Sequence, residues 1–139
     1  MNVLVDTSVW SLAFRRRAHQ LNPGESAVVA ELAELIREGR TRIIGLIRQE
    51  LLSGIPSTAQ YERLRIALSA FSDEPIATAD HEAAAKAANA CRAKGISASL
   101  VDILIATVAL ERSWLVFTRD PDFQAISKVT RLKLHKPRN

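Results

Sequence analysis

Acidic residues recur where apolar runs of the sequence end, and this pattern indicates a site with its own chemistry. Asp6 follows a short run of valine and leucine, and Asp120 and Asp122 follow the apolar run "WLVFT". Asp102 is the only charged residue of "SLVDILIATVAL". Because like charges raise each other's pKa, neighbouring carboxylates stay ionised together only beside a counter-charge. Mg²⁺ and Mn²⁺ are the usual counter-ions of an all-oxygen site, and both also bind phosphate oxygens.

Each acidic residue also has a purely structural explanation when it is considered alone. Asp6 is well suited to cap a helix that begins near Val9, and Asp102 suits the first turn of a helix. Glu50 follows an arginine and a glutamine, which is typical of a solvated helix face. The "RDPDF" segment around Asp120 fits a turn that caps a helix. Only the joint pattern favours a shared site.

Other common catalytic arrangements find no support in the sequence. No serine or cysteine is placed with a histidine as a nucleophile pair, and the five glycines are scattered. The three histidines lie in unlike contexts without zinc-site spacing, so His19, His81 and His135 are interpreted as ordinary surface residues. Metal-assisted hydrolysis is the chemistry that remains.

Strand-like and helix-like segments alternate, which predicts a three-layer α/β/α sandwich around a mostly parallel sheet. The predicted strands are Val3–Val5, Arg42–Ile44, a brief segment around Ile76, Trp114–Thr118 and an edge strand at Thr130–Leu134. The predicted helices begin near Val9, Ser26, Leu46, Tyr61, Thr78 or Asp80, and Ser97 or Ser99, with a last helical turn up to Ser127. In such sheets ligands bind beyond the carboxyl ends of the strands, where the acidic residues fall.

Composition predicts one globular domain, which we place at residues 1–134, followed by a basic tail of residues 135–139. The chain has 139 residues, of which 47% are hydrophobic, and its mean hydropathy is +0.02. No window approaches the ~18 unbroken apolar residues of a membrane span. The start carries no signal-like segment, and a lone cysteine, Cys91, cannot form an internal disulfide. We therefore expect a cytoplasmic protein without membrane contact.

Positive charge is concentrated in two short stretches of the sequence. Five basic residues and no acidic ones lie between Lys128 and Asn139, and Arg15–Arg17 form a second cluster. Local basic patches suit contact with a phosphate backbone better than base-specific recognition. Solvated charge and a solubilising tail explain each patch equally well when it is taken alone.

Four stretches of the sequence together resemble the PIN-domain ribonucleases, and among them the VapC toxins of toxin–antitoxin modules. The matching stretches, in chain order, are "VLVDTSVW", "RQELLSG", "SLVDILIATVAL" and "LVFTRDPDF". Each motif is short and weak alone, but four in the family's order across nearly the whole chain are quite specific. The region between Ile55 and Asp80 matches no motif, so the resemblance implies nothing there about substrate choice.

The resemblance implies roles for particular side chains. It implies an acidic quartet that binds Mg²⁺ or Mn²⁺, with the members Asp6, Glu50, Asp102 and Asp120. Ser8 and Thr118 match hydroxyl positions that orient those carboxylates. Asp122 matches a further acidic position, and the sequence leaves open whether Asp120 or Asp122 lies nearer the metal.

The resemblance also implies an activity and partners. The activity is endoribonuclease cleavage by a metal-activated water, which leaves a 5′-phosphate and a 3′-hydroxyl. The candidates for contact with the RNA backbone are Arg15, Arg16, Arg17 and Arg119, together with the basic tail. The implied partners are a cognate antitoxin and a second copy of the chain, giving a homodimer that forms a heterotetramer or larger assembly with the antitoxin. Trp10, Leu12 and Phe14 are candidates for the dimer contact, although burial in the core explains each of them better.

Other functions stay open beside this one. A PIN-domain nuclease that processes RNA without an antitoxin fits the same residues, as does a non-catalytic module that binds RNA or protein. A phosphoacceptor or phosphohydrolase domain is disfavoured, because such domains need a second aspartate two residues after the first. Here Asp6 is followed by Thr7 and Ser8.

Overall fold

The strands of the protein lie side by side in one parallel sheet. A computed structural model describes residues 1–138. In the spatial order β2-β1-β3, the strands are Thr41–Arg42, Val3–Val5 and Leu115–Phe117. Leu4 of β1 lies opposite Arg42 on one side and Val116 on the other. All three residues of β1 are buried, as expected of a central strand whose two faces are both covered.

Helices connect the strands and cover the sheet. Within residues 1–138 the α-helices, α1 to α7, are Thr7–Phe14, Pro23–Arg37, Gly45–Leu52, Thr58–Leu68, Thr78–Ala93, Leu100–Arg112 and Pro121–Val129. Parallel strands require such crossover connections, so the alternation read from the sequence becomes an α/β sandwich. This confirms the predicted fold class.

The first helix begins at Thr7 rather than near Val9. Asp6 is its N-cap residue, and the side chain of Asp6 accepts a hydrogen bond from the Ser8 backbone N–H. The buried face of α1 contains Trp10 and Leu12, and the Trp10 indole donates to the Val5 carbonyl at 3.0 Å. These two side chains therefore belong to the core and are not available for a dimer contact.

The second helix begins at Pro23, three residues before the predicted start at Ser26. Asn22 Oδ1 accepts from the Glu25 N–H at 2.8 Å, and Glu25 Oε1 accepts from the Asn22 N–H at 3.0 Å. This reciprocal pair is a capping box, with proline at the first helical position. The asparagine–proline–glycine–glutamate sequence carried that signal, and the loop interpretation of this segment is wrong.

Two predicted strands are reduced to single bridges. Near the predicted strand around Ile76, the only pairing within the described part of the chain is between Ile43 and Asp73. Pro75 has no N–H with which to extend this bridge. The predicted edge strand at Thr130–Leu134 pairs only at Leu134, with Val116. Thr130, the first residue of that predicted strand, is instead the C-cap residue of α7, and its hydroxyl donates to the Ile126 carbonyl at 2.8 Å.

The last described residues pack against α2. His135 Nε2 lies 2.7 Å from Glu31 Oε2, and only 7% of the His135 side chain is exposed. Arg138 contacts both Glu31 and Glu38. The interpretation of His135 as a surface residue is therefore wrong, whereas His19 and His81 are exposed as expected. The division between a domain of residues 1–134 and a tail stays a prediction.

Among the described residues, no helix combines the length and the apolar character needed to cross a lipid bilayer.

Candidate metal centre

Three aspartates converge at the carboxyl end of the sheet. One carboxylate oxygen each from Asp102, Asp120 and Asp122 lie within 4.8 Å of one another. Asp102 is in the first turn of α6, Asp120 is the N-cap residue of α7, and Asp122 is in the first turn of α7. An all-carboxylate set of this size matches the ligand preference of Mg²⁺ and Mn²⁺.

Local helix capping fixes the backbone around these three carboxylates. The Asp102 N–H donates to the hydroxyl of Ser99, the N-cap residue of α6, at 3.0 Å. The Asp122 N–H donates to Asp120 Oδ1 at 2.9 Å, and Pro121 takes the first helical position of α7. Two helix N-termini therefore face the cluster, and their dipoles favour negative charge there. The same hydrogen bonds that cap α6 and α7 also fix the backbone of the aspartates in the cluster.

Among residues 1–138, no cationic side chain offsets the negative charge around Asp102. Burial, together with the charges of Asp120, Asp6 and Asp122, raises the pKa of Asp102 to about 6. Side-chain hydrogen bonding with Ser99 opposes this shift. A divalent cation would favour the ionised form of all these groups, because opposite charge nearby lowers a carboxyl pKa.

Asp6 is held at the end of β1 by two hydroxyl groups. Its Oδ2 accepts from Ser8 Oγ at 2.8 Å and from Thr118 Oγ1 at 2.9 Å. Asp6 is 5% exposed, and its N–H donates to the Phe117 carbonyl at 2.9 Å. Ser8 and Thr118 thus both contact one carboxylate of the predicted quartet, that of Asp6. Asp6 is therefore the N-cap residue of α1, and its charge also contributes to the raised pKa of Asp102.

Glu50 lies outside the group of three aspartates. It is exposed near the end of α3, and its Oε1 accepts from Thr7 Oγ1 at 2.8 Å. Sequence reasoning missed Thr7, although this residue lies inside the first motif between Asp6 and Ser8. The hydroxyls of Thr7 and Ser8 therefore orient two different carboxylates, Glu50 and Asp6.

Arg119 connects the hydroxyl network around Asp6 to a second arginine, Arg16. The Arg119 N–H donates to Ser8 Oγ at 2.9 Å. The side chains of Arg119 and Arg16 both contact Glu25, at 3.3 and 3.0 Å. Arg16 also lines a groove of about 480 Å³ together with residues 15 and 17 and the side chain of Arg63. Glu25, which links the two arginines, was also missed because its helix was predicted to start after it.

A comparison with protein families identifies the family to which this fold belongs. A family model described as the PIN domain matches residues 3–129. The match covers all three strands and every acidic residue considered above. The chain therefore belongs to the PIN domain family, as the sequence resemblance predicted.

Similar solved structures come from several bacteria. FitAcB from Neisseria gonorrhoeae is 24% identical, with a TM-score of 0.75 and 97% of each chain covered. VapBC2 from Rickettsia felis, solved with a DNA fragment from its promoter, is 16% identical, with a TM-score of 0.73 and 97% and 98% covered. VapBC-1 from nontypeable Haemophilus influenzae is 18% identical, with a TM-score of 0.72 and 98% of each chain covered. At these identities the likeness establishes a shared fold.

Proposed function

We propose that this protein is a metal-dependent endoribonuclease that acts as the toxin of a toxin–antitoxin pair. The observation that carries the nuclease proposal is the convergence of Asp102, Asp120 and Asp122 in a PIN domain. Membership of the family and a carboxylate cluster suited to a divalent cation point to the same chemistry. RNA as substrate and Mg²⁺ or Mn²⁺ as the ion are part of the proposal.

The acidic side chains divide into two groups in this proposal. Asp102, Asp120 and Asp122 would hold the metal, and Asp6 would add negative charge from the end of β1. When bound, Mg²⁺ or Mn²⁺ lowers the pKa of a coordinated water and stabilises charge on phosphoryl oxygens. Glu50 is exposed and accepts a hydrogen bond from Thr7. In this proposal its carboxylate positions the attacking water. Attack of the water oxygen on phosphorus would break the bond from phosphorus to the 3′ oxygen, which takes up a proton, and the products would be a 5′-phosphate and a 3′-hydroxyl.

Ser8 and Thr118 act through Asp6 rather than on the substrate. Their hydroxyls donate to Asp6 Oδ2 and fix the direction of its free oxygen. Outer hydrogen bonds of this kind orient metal ligands and are worth about 10–100-fold in metal affinity or activity. Arg15, Arg16, Arg17 and Arg119 contact the RNA backbone in this proposal.

The nuclease proposal is tested with a mixed-sequence single-stranded RNA and Mn²⁺. We expect the wild-type protein to cleave it and EDTA to stop the cleavage. Asp102→Asn and Asp6→Asn should each abolish activity with the circular dichroism spectrum unchanged, because the amide keeps the size and loses the charge. Glu82→Gln is the matched control, since Glu82 is exposed on α5 and its change removes one charge elsewhere.

Three results would contradict the nuclease proposal or a part of it. Full activity in Asp102→Asn would exclude this cluster as the metal centre. Products that end in a cyclic phosphate would show that the ribose hydroxyl, and not water, attacks phosphorus. RNA binding without cleavage in any metal would favour the non-catalytic module instead.

An antitoxin partner is supported by the relatives rather than by the site alone. Similar structures include a protein described as a member of the VapBC family of toxin–antitoxin systems and a toxin–antitoxin complex from Klebsiella pneumoniae. The acidic cluster would accept a basic side chain such as an arginine from such a partner. Expression should arrest bacterial growth, Asp102→Asn should relieve the arrest, and the product of a short adjacent reading frame should bind the protein.

We also propose a homodimer in the cytoplasm, assembled with the antitoxin into a heterotetramer or larger complex. Trp10 and Leu12 are buried in the core, so a dimer contact would have to use other residues. Light scattering of the protein alone and with its antitoxin tests this assembly. A mass of one chain at every concentration would contradict the dimer.

A further inference from the structure

Glu25 connects two arginines that come from distant parts of the chain. Its Oε2 accepts from Arg16 Nη1 at 3.0 Å and from Arg119 Nη1 at 3.3 Å. Arg119 is 94 positions away in sequence. Both guanidinium groups therefore meet at one carboxylate oxygen, which places two positive charges close together.

The Glu25 carboxylate is fixed before any ligand arrives. Its other oxygen, Oε1, accepts the Asn22 N–H in the capping box of α2, so the side chain is held at both oxygens. That backbone hydrogen bond, together with the charges of Arg16 and Arg119, holds the pKa of Glu25 below its usual range despite its burial. An ionised, immobile carboxylate offsets the repulsion between two neighbouring guanidinium groups.

The two arginines keep most of their hydrogen-bonding capacity. Each uses one Nη1 atom on Glu25, and 50% of the Arg16 side chain and 42% of the Arg119 side chain are exposed. A guanidinium carries five N–H donors in a planar fork that matches two oxygens of a phosphate. The remaining donors of both arginines are therefore free to bind one phosphodiester group between them.

The position of the pair relates it to the acidic cluster. The Arg119 N–H donates to Ser8 Oγ, and Ser8 in turn donates to Asp6. Arg119 also directly precedes Asp120 in the chain. On its other side, Arg16 lines the groove that Arg63 shares. One arginine of the pair is thus linked through Ser8 to Asp6, and the other lines a basic groove.

We propose that Glu25 is a positioning residue that holds Arg16 and Arg119 in place to bind an RNA phosphate adjacent to the one cleaved. This inference rests on the proposed nuclease function and deepens it. The pair sets the register of the RNA strand, so that the scissile phosphate lies over the acidic cluster. Such alignment matters, because a misplacement of about 1 Å can cost on the order of 100-fold in rate.

Glu25→Gln distinguishes a positioning role of Glu25 from a general electrostatic effect of its charge on RNA binding. Glutamine at this position still accepts the Asn22 N–H, so the capping box is kept. The change removes one negative charge beside the proposed phosphate, so non-specific electrostatics alone would tighten RNA binding and leave turnover unchanged. Positioning predicts instead that kcat falls roughly tenfold or more, while the Kd for a fluorescein-labelled mixed-sequence RNA in EDTA does not rise.

Glu34→Gln is the matched control. Glu34 lies on the same helix and pairs with Arg37, and 51% of its side chain is exposed. Its change removes the same charge from another arginine pair, and kcat should remain unchanged. A double-mutant cycle completes the test: if Glu25 acts through Arg119, then Glu25→Gln should lower kcat little in an Arg119→Gln background.

The outcomes for Glu25 are distinct from those for the nuclease itself. An unchanged kcat in Glu25→Gln, with active wild-type enzyme, overturns the positioning role and leaves the nuclease intact. If the wild-type protein cleaves no RNA, the proposed function fails. RNA binding in EDTA then tests separately whether Arg16 and Arg119 form a phosphate site. Arg16→Gln and Arg119→Gln should then each weaken binding and reduce the slope of log K against log salt by about 0.7. Unchanged slopes would overturn the pair as a phosphate site.

Discussion

Thr118 donates a 2.9 Å hydrogen bond to Asp6 although the two residues are 112 positions apart. The bond forms because β1 and β3 are neighbours in the sheet, so the residues that follow them meet at the same edge. Thr118 also accepts the Asp120 N–H at 2.9 Å. One hydroxyl therefore connects the first acidic residue of the chain to the start of α7.

Thr118→Val should impair the metal site without removing any carboxylate. The change deletes the hydroxyl that Asp6 and the Asp120 N–H both use, while the shape of the side chain is kept. We expect Mn²⁺ affinity or kcat to fall by about 10–100-fold, measured by calorimetry and by RNA cleavage. Thr118→Ser keeps the hydroxyl and should remain close to wild type. Equal losses in both variants would show that packing of the threonine methyl, and not the hydrogen bond, matters.

Asp102→Asn should stabilise the metal-free protein at neutral pH. The pKa of Asp102 is raised to about 6 in the folded state, so the folded protein binds this proton more tightly than the unfolded chain. The stability associated with the protonated form is complete below about pH 4 and is lost as pH rises through 6. Asparagine does not titrate and avoids that loss. In EDTA at pH 7.5, the melting temperature of Asp102→Asn should exceed that of wild type by about 2–4 °C. At pH 4 the two melting temperatures should be nearly equal.

The stability comparison has a clear contrary result. If Asp102→Asn melts below wild type at pH 7.5 in EDTA, the ionised carboxylate stabilises the fold, and its environment is not the acidic one described here. Repeating the comparison in excess Mn²⁺ should reverse the order, because the wild-type cluster binds the ion more tightly than the variant and gains more stability from it.

Mn²⁺ affinity should depend on pH around the raised pKa of Asp102. A proton and the metal compete for this carboxylate, so binding of the ion releases the proton below pH 6. We expect affinity at pH 5 to be about tenfold weaker than at pH 7, as measured by titration calorimetry. Asp102→Asn should bind weakly and show no such step. If the Mn²⁺ affinity of wild type did not change between pH 5 and pH 7, the metal would have to bind away from Asp102.

Arg138→Ala should destabilise the fold although Arg138 lies far along the chain from α2. Burial would raise the pKa of Glu31, but hydrogen bonds from Arg138 and His135 hold it below its usual range. Loss of a charged partner from a buried carboxylate costs about 1–3 kcal/mol of the free energy of unfolding. Urea unfolding measures this loss. Arg131→Ala, at an exposed residue of the same segment, is the control and should change little.

Local signals in the sequence predicted much of the fold. The apolar run of β1, the serine cap of α6 and the alanine-rich α5 were found where the pattern placed them. The capping box at Asn22 was present in the sequence but overlooked, which hid Glu25. The strand predicted around Ile76 failed because side-chain pattern does not reveal whether a backbone has a pairing partner.

The sequence by itself determined the residue types of the site and their places at the ends of strands and the starts of helices, because caps and apolar periodicity are local properties. Only the tertiary structure decided which of these residues meet. Asp102, Asp120 and Asp122 converge most closely, while Glu50 lies with Thr7. The strand order β2-β1-β3 and the packing of the helices bring residues about a hundred positions apart into contact. A short segment of the sequence does not reveal the strand order, because that order depends on how the whole chain buries its apolar surface.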